Sequence, residues 1–432
     1  MRRLVLLVFM AGMVAALFTG PAWAESPPPL SFELSSGSSY VKCAATSPAT
    51  VTKSGQSCTI TQPSGGTAWC IEYKSSMSPI TQTCTIRQTS TTRANYAYVT
   101  QIAENRGGSS PQTATQTATV EQGNTVRANN SWVTQLARQA LGHRLDEDGD
   151  DWAAPSFATA VDQVQNLSQH ADICQGGVAD CHADAGMVSH NNSHVVQKQW
   201  QSEQAAATTT INQEQNTDAA PPCTVIGQPA NQCADVDQNS EPLASGRNTE
   251  GLSQLYVQLQ NARGKGTTDT EQHQGGGDAL GGLDHQIAQL GGGVANITTG
   301  QNSFQFQKAS KVGPLFQQQD PRISKDPFST KTGATGSTWT GAQRAFQFQL
   351  EDGALVTSLG GQNSLLEYFG TSIGGSISAT QLVNQNGQTE TQSCGPASSC
   401  AILLDCTNVQ SEYYVSALSV AAQECVTEEP SD

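Results

Sequence analysis

Gln82-Thr-Cys-Thr-Ile-Arg-Gln88 and Asn95-Tyr-Ala-Tyr-Val-Thr-Gln101 are followed by Gln116-Thr-Ala-Thr-Val-Glu-Gln122 and Asn129-Asn-Ser-Trp-Val-Thr-Gln135. The anchoring amides return 34 positions later, and Arg93-Ala94 returns as Arg127-Ala128 in the same register. A fixed period of this kind marks a repeat architecture in which each unit covers its neighbour. Gln56-Ser-Cys-Thr-Ile-Thr-Gln62 is a third copy of the first half, and Asn191-Asn-Ser-His-Val-Val-Gln197 is a further copy of the second.

Strand alternation explains the spelling, because successive side chains of a strand point to opposite faces. One face of the first half carries Gln82, Cys84, Ile86 and Gln88, matched by Gln116, Ala118, Val120 and Gln122. One face of the second half carries Asn95, Ala97, Val99 and Gln101, matched by Asn129, Ser131, Val133 and Gln135. Each is a small or aliphatic centre flanked by amides, while Thr, Arg, Glu, Tyr96, Tyr98 and Trp132 fall on the opposite face. A narrow strand–turn–strand coil requires this pattern, with amides stacked on their copies about 4.8 Å above and below. The expected fold is therefore all-β, a disulfide-stapled β-solenoid with irregular Gly-rich and C-terminal regions. Its structural ladder would be built from Gln56, Gln62, Gln82, Gln88, Asn95, Gln101, Gln116, Gln122, Asn129, Gln135, Asn191 and Gln197.

The order Gln, five residues, Gln, a turn, Asn-x-Ala and a closing Gln resembles the curlin repeat of secreted bacterial amyloid fibre subunits. Gln82, Gln88, Asn95, Ala97 and Gln101 fill that pattern, and Gln116, Gln122, Asn129 and Gln135 fill it again with Ser131 in place of Ala. The turn between Gln88 and Asn95 is two residues longer than in that family, and Gln stands where the family begins with Ser. The clear match spans residues 56 to 135. The resemblance implies self-assembly, with strand edges accepting further chains.

Arg2 and Arg3, the apolar run from Leu4 to Phe18 and the Ala22-Trp23-Ala24 cleavage motif read as a secretory signal over residues 1–24. No later apolar run reaches transmembrane length, so the mature chain is expected outside the cell or at its surface. Charged residues are 13% and hydrophobics 36%, below an ordinary globular domain on both counts. A net charge of −16 argues against nucleic acid, whose phosphates call for a basic face. Self-association, surface glycans or other matrix proteins are the expected partners.

The 12 cysteines in an exported chain point to disulfides. They are Cys43, Cys58, Cys70 and Cys84; Cys174 and Cys181; Cys223 and Cys233; and Cys394, Cys400, Cys406 and Cys425. Cys58 and Cys84 share an inward position in adjacent copies, and Cys43 and Cys70 are similarly spaced. Bridges between neighbouring rungs (Cys58–Cys84, Cys43–Cys70) and bridges within a rung both fit, since sequence does not determine connectivity.

The remaining organisation follows from punctuation. Residues 25–55 form a spacer that can hold a first rung, and 56–140 the repeat array. Residues 141–261 hold interrupted repeats, with echoes at Ala160-Val-Asp-Gln163, which resembles Ala118-Thr-Val-Glu-Gln122, at Thr210-Ile-Asn-Gln213 and at Asp235-Val-Asp-Gln238, and an inserted loop carrying Cys174 and Cys181. Residues 262–300 are Gly-rich and read as a linker. Residues 301–432 read as a β-rich region ending in a Cys-rich cap. There Gly300-Gln-Asn-Ser303 returns as Gly361-Gln-Asn-Ser364, and Phe304-Gln-Phe-Gln307 as Phe346-Gln-Phe-Gln349.

Chemistry-bearing motifs are sparse. Asp146-Glu-Asp-Gly-Asp-Asp151 has the oxygens of a calcium loop without the spacing of an EF-hand, and a solvated acidic hinge is the simpler reading. His190 and His194 share strand parity near His182 and Asp184, a transition-metal arrangement in principle and exposed loop polarity more simply. No Ser/His/Asp spacing, phosphate loop or paired carboxylates stand in a recognisable context, so no catalytic residue, cofactor or metal ligand is assigned. Two functions remain: a secreted structural protein, a self-assembling fibre or matrix subunit, and a monomeric adhesin or carbohydrate-binding solenoid using Tyr96, Tyr98 and Trp132.

Overall fold

The computed structural model describes residues 39–76, 79–106, 112–124, 127–141, 161–176, 190–206, 211–215, 224–225, 228–229, 232–239, 247–265, 268–274, 283–290, 294–312, 315–323, 327–330, 338–351, 361–371, 376–385, 388–397, 399–409 and 423–428. Among them every regular element is a strand. The first five are β1 (Ser39–Ala45), β2 (Thr50–Ser54), β3 (Ser57–Gln62), β4 (Gly66–Ser76) and β5 (Ile80–Ser90). The next five are β6 (Asn95–Arg106), β7 (Gln112–Asn124), β8 (Asn129–Leu141), β9 (Val161–Gly176) and β10 (His190–Ala206).

Two large, open, mixed sheets divide these strands by alternation. β4, β6, β8 and β10 are neighbours in a ten-stranded sheet (sheet 1), while β3, β5, β7 and β9 are neighbours in a fourteen-stranded one (sheet 2). Within each series the pairing is parallel. A 34-residue strand–turn–strand repeat dictates this, because each half returns to its own sheet one strand further on. The register follows the spelling: Gln82 lies opposite Gln116 and Gln88 opposite Gln122, Asn95 opposite Asn129 and Gln101 opposite Gln135.

The turns between sheets stack as well. Gly65 and Gly66 take φ of 69° and 119° between β3 and β4, values that a Cβ disfavours. One rung on, the Ser90 hydroxyl accepts from the Thr92 and Arg93 backbone N–H groups. In the next, Asn124 Oδ1 accepts from Arg127 N–H, and Asn124 Nδ2 donates back to the Arg93 carbonyl at 2.6 Å.

The core is a set of columns running across the strands. Cys58, Cys84, Ala118 and Ala171 form one, and Ile60, Ile86, Val120 and Ile173 the next, all fully buried on sheet 2. Cys70, Val99, Val133 and Val195 face them from sheet 1. Side chains this small let the sheets approach closely: Cα atoms of Cys43 and Cys58 are 5.7 Å apart, and those of Cys70 and Cys84 6.2 Å. Ordinary face-to-face sheets stand about 10 Å apart. Beyond the glutamine rows, Ile80, Ala103, Ala114 and Ala137 form a second apolar layer.

Both ends depart from parallel pairing. β1 runs antiparallel to β4, and β2 forms an antiparallel hairpin with β3 around Gly55. At the other end Ser376–Gln385 pairs antiparallel with Gln388–Ala397. There too Gly361–Thr371 pairs antiparallel with Ser399–Val409, which pairs likewise with Gln423–Glu428.

Two expectations from sequence need correction. The Gly-rich stretch 262–300 is not a bare linker: it holds the end of Arg247–Lys265, all of Thr268–Gln274 and Leu283–Leu290, and the start of Val294–Val312. Cys174 lies within β9 rather than in an inserted loop. The two Gly-Gln-Asn-Ser copies belong to different sheets, Val294–Val312 in sheet 1 and Gly361–Thr371 in sheet 2, whereas the two Phe-Gln-Phe-Gln copies pair in register. The signal segment and the acidic stretch 146–151 lie outside the described residues.

Candidate functional site

Where the repeat stacks, each inward-facing glutamine has one acceptor oxygen and two N–H donors to satisfy without water. On sheet 2, Gln175 donates to Gln122 Oε1 at 2.8 Å, Gln122 to Gln88 at 2.8 Å, and Gln88 to Gln62 at 2.6 Å. A second row runs from Gln169 to Gln116 to Gln82, both bonds 2.8 Å. On sheet 1, Gln197 donates to Gln135 at 2.9 Å and Gln135 to Gln101 at 2.8 Å. The asparagine row points the other way: Asn95 donates to Asn129 and Asn129 to Asn191, each at 2.9 Å.

The other N–H crosses the core to the opposite backbone. Gln122 reaches the Asn130 carbonyl at 2.9 Å and Gln116 the Leu136 carbonyl at 3.0 Å. In return Gln101 reaches the Thr117 carbonyl at 2.9 Å. One side chain thus ties its strand to the next copy and to the facing sheet, with every one of these amides fully buried. An unsatisfied buried amide would cost about 1–3 kcal/mol, so the amides specify register as well as contributing to stability.

The rows end differently at the N-terminal side. Gln62 donates to the Thr46 carbonyl and hydroxyl, at 2.6 and 2.7 Å. The row through Gln101 ends on Glu72, whose Oε2 accepts from Gln101 at 2.8 Å. Burial pushes the Glu72 carboxyl up to about 7, against a smaller lowering by the Gln101 bond. Gly66 stands opposite Asn95 and offers no amide, and Asn95 Oδ1 is left without a hydrogen bond. Gln56, expected in the ladder, leaves it. It sits in the β2–β3 turn, donates to the Ser39 hydroxyl at 2.7 Å, and its buried Oε1 has no partner.

Gln169 and Gln175 join the rows although the expected ladder omitted them; Gln169-His-Ala-Asp-Ile-Cys-Gln175 repeats the alternation of Gln116-Thr-Ala-Thr-Val-Glu-Gln122. The offset between these copies is 53 rather than 34, which conceals them from a search at constant period. Val161-Asp-Gln163, read as the echo of β7, instead pairs with Ile211-Asn-Gln213. Asp235-Val-Asp-Gln238 pairs with Asp172-Ile-Cys-Gln175. Toward the C-terminus Gln381 donates to Gln343 and Gln385 to Gln347, both at 2.9 Å.

The two disulfides of the N-terminal repeats run across the core, from one sheet to the other. Cys43 bonds to Cys58 and Cys70 to Cys84, so of the alternatives left open by the sequence the Cys58–Cys84 and Cys43–Cys70 pairings are not the ones formed. Column neighbours project side by side into the core, whereas cysteines on facing sheets project toward one another. Cys394 bonds to Cys400, and Cys406 to Cys425 directly opposite it. Cys174 is also disulfide-bonded. Cys181 and Cys223 lie outside the described residues, as do His182 and Asp184, while Cys233 and His190 fall in strands.

On the outer face of sheet 1, Trp69, Tyr98, Trp132 and His194 occupy one line across four strands. Tyr98 and Trp132 stack with centroids 4.7 Å apart and planes 6° from parallel, and Tyr96 lies 6.5 Å from Trp132. Lys42 Nζ lies 5.9 Å from the Trp69 ring centroid. The outer face of sheet 2 carries hydroxyls and the bidentate Arg87–Glu121 pair at 2.9 and 3.2 Å. Among the described residues no helix is long and apolar enough to cross a membrane. The chain matches no protein-family model, no curated protein and no solved structure.

Proposed function

We propose that the chain is a secreted structural protein, a β-solenoid of curlin-like repeats that serves as a subunit of an extracellular matrix or surface layer. The observation carrying this reading is the set of buried amide rows, each joining copies of one position in successive repeats. Such rows give stiffness along the stack and do no chemistry, which fits a structural rather than an enzymatic role. The disulfides suit an oxidising, extracellular setting.

The ends decide how such subunits would associate. A further copy continues an amide row only through a parallel, in-register strand, and antiparallel strands stand at both ends instead. Lys42 on β1, Lys53 on β2, and Glu390 and Pro396 on Gln388–Ala397 further blunt those edges. Association therefore runs through the lateral faces, with the Tyr98–Trp132 stack as the apolar contact. Sedimentation and negative-stain imaging of the mature protein test this. Lateral assemblies that Trp132→Ala weakens support the reading, and a monomer at every concentration overturns the assembly claim.

The same stacked rings support a second reading, a monomeric adhesin gripping glycans by ring stacking. Glycan-array binding by a monomer, abolished in Trp132→Ala, would favour it over the first.

A further inference from the structure

Over β2, β3, β5 and β7 the outer face of sheet 2 carries a two-dimensional lattice of hydroxyls, which ends at β9, where His170 and Asp172 stand in register with Thr117 and Thr119. Ser57, Thr83 and Thr117 form one line across β3, β5 and β7, and Thr59, Thr85 and Thr119 form a second beside it. Through its pairing with β3, β2 extends the lines with Ser54 and Thr52. Thr81 and Thr115 begin a third line on β5 and β7. Each of these side chains is exposed or half-buried, as the outer face of a continuous sheet requires.

Strand geometry sets the two repeats of this lattice. Hydroxyls recur about 4.8 Å apart from strand to strand and about 6.7 Å apart along each strand. Threonine is stiff at χ1, so its hydroxyl and methyl hold their places before any partner arrives. Beneath, the amide rows and the Cys43–Cys58 and Cys70–Cys84 bridges brace the strands. Arg87 and Glu121, beside the lines, neutralise one another.

A partner for this face must be flat, uncharged, rich in hydrogen-bonding groups, and periodic in two directions at matching distances. Ice meets all four requirements, since the oxygen repeats of its prism face lie close to both spacings. We propose that this face binds ice. Water held between the threonine methyls and hydrogen-bonded to their hydroxyls takes up the lattice order and joins the crystal. Preorganisation keeps the ordering cost low. This face is independent of whatever sheet 1 contacts.

The test is to cool the mature protein against a seed ice crystal. The readouts are the gap between melting and freezing points and the protein taken up by growing ice. The wild type is expected to open a gap and enter the ice. Thr85→Lys with Thr117→Lys is expected to return both readouts to background while the β-sheet circular dichroism is retained. Thr119→Lys alone gives the same reading if the double variant does not fold. Thr100→Lys with Thr134→Lys, in register on the outer face of sheet 1, is expected to behave as wild type. Three results would overturn the proposal: exclusion of the wild type from ice, loss of activity in the sheet 1 variant alone, or binding to a crystalline polysaccharide through the Thr85 face with no effect on ice.

Discussion

Gln101 donates a side-chain N–H to Glu72 Oε2 at 2.8 Å, where the glutamine row of sheet 1 comes to an end. Glu72 is the register equivalent of Gln101 and Gln135. A carboxylate in that place accepts from the row above without needing an acceptor below. Its Oε1 is buried without a hydrogen bond, so the charged form is poorly accommodated.

The pH dependence follows from that burial. The folded state holds Glu72 at about 7 against an ordinary value of 4.5, so folding favours the protonated carboxyl. The stabilisation is fully present below pH ~4.5 and is lost as pH rises through about 7, to an upper limit of roughly 3 kcal/mol. Glu72→Gln is expected to flatten this part of the stability–pH curve and to be more stable than wild type at pH ~8. Urea unfolding across that range measures both effects, and an unchanged slope in the variant would remove Glu72 as the cause.

Gln122 is bonded on three sides: to Gln88, to the Asn130 carbonyl and from Gln175. Gln122→Ala strands buried partners on both sheets, each worth about 1–3 kcal/mol when unsatisfied. A loss of several kcal/mol is expected in denaturant unfolding. Gln56→Ala, outside the rows, is expected to cost far less.

The Arg87–Glu121 pair has good geometry, but its side chains are 57% and 28% exposed. Surface pairs contribute about 0–1 kcal/mol. Arg87→Ala should therefore alter stability by less than ~1 kcal/mol, while the adjacent Gln88→Ala should cost several times as much. Equal effects would mean that the inner rows do not dominate the stacking.

The disulfide map is open to direct reading. Unreduced protein, denatured and cleaved after Trp69, separates Cys58 from Cys70. Mass spectrometry should then find Cys43 linked to Cys58 and Cys70 linked to Cys84. A Cys58–Cys84 peptide would mean that the sheets do not face one another as described.

How far the sequence led depended on the constancy of the period. From Gln82 to Gln135 the 34-residue step and the alternation of amides with small residues specified strands, inward faces and register together. At Gln169 and Gln175 the alternation survives while the step does not, because residues between β8 and β9 lengthen the repeat. Position alone misplaced Gln56, since a hairpin turn rather than a strand occupies the equivalent place. The cysteine columns were visible from spacing, but the pairing depends on the distance between sheets, which only folding sets. The hydroxyl lattice was equally visible as Thr-x-Thr alternation, yet its lines emerge only once strands lie in register.

Magic-angle-spinning NMR on the mature protein, with glutamine side chains labelled and the sample diluted in unlabelled protein, tests the stacked rows most directly. Cross-peaks between the Nε2 of one glutamine and the side-chain carbonyl of its copy are expected within a single chain, and Gln122→Ala should abolish the Gln88–Gln122 cross-peak. Labelled glutamines showing no such cross-peaks, or cross-peaks that vanish on dilution, would contradict intramolecular stacking of the repeats.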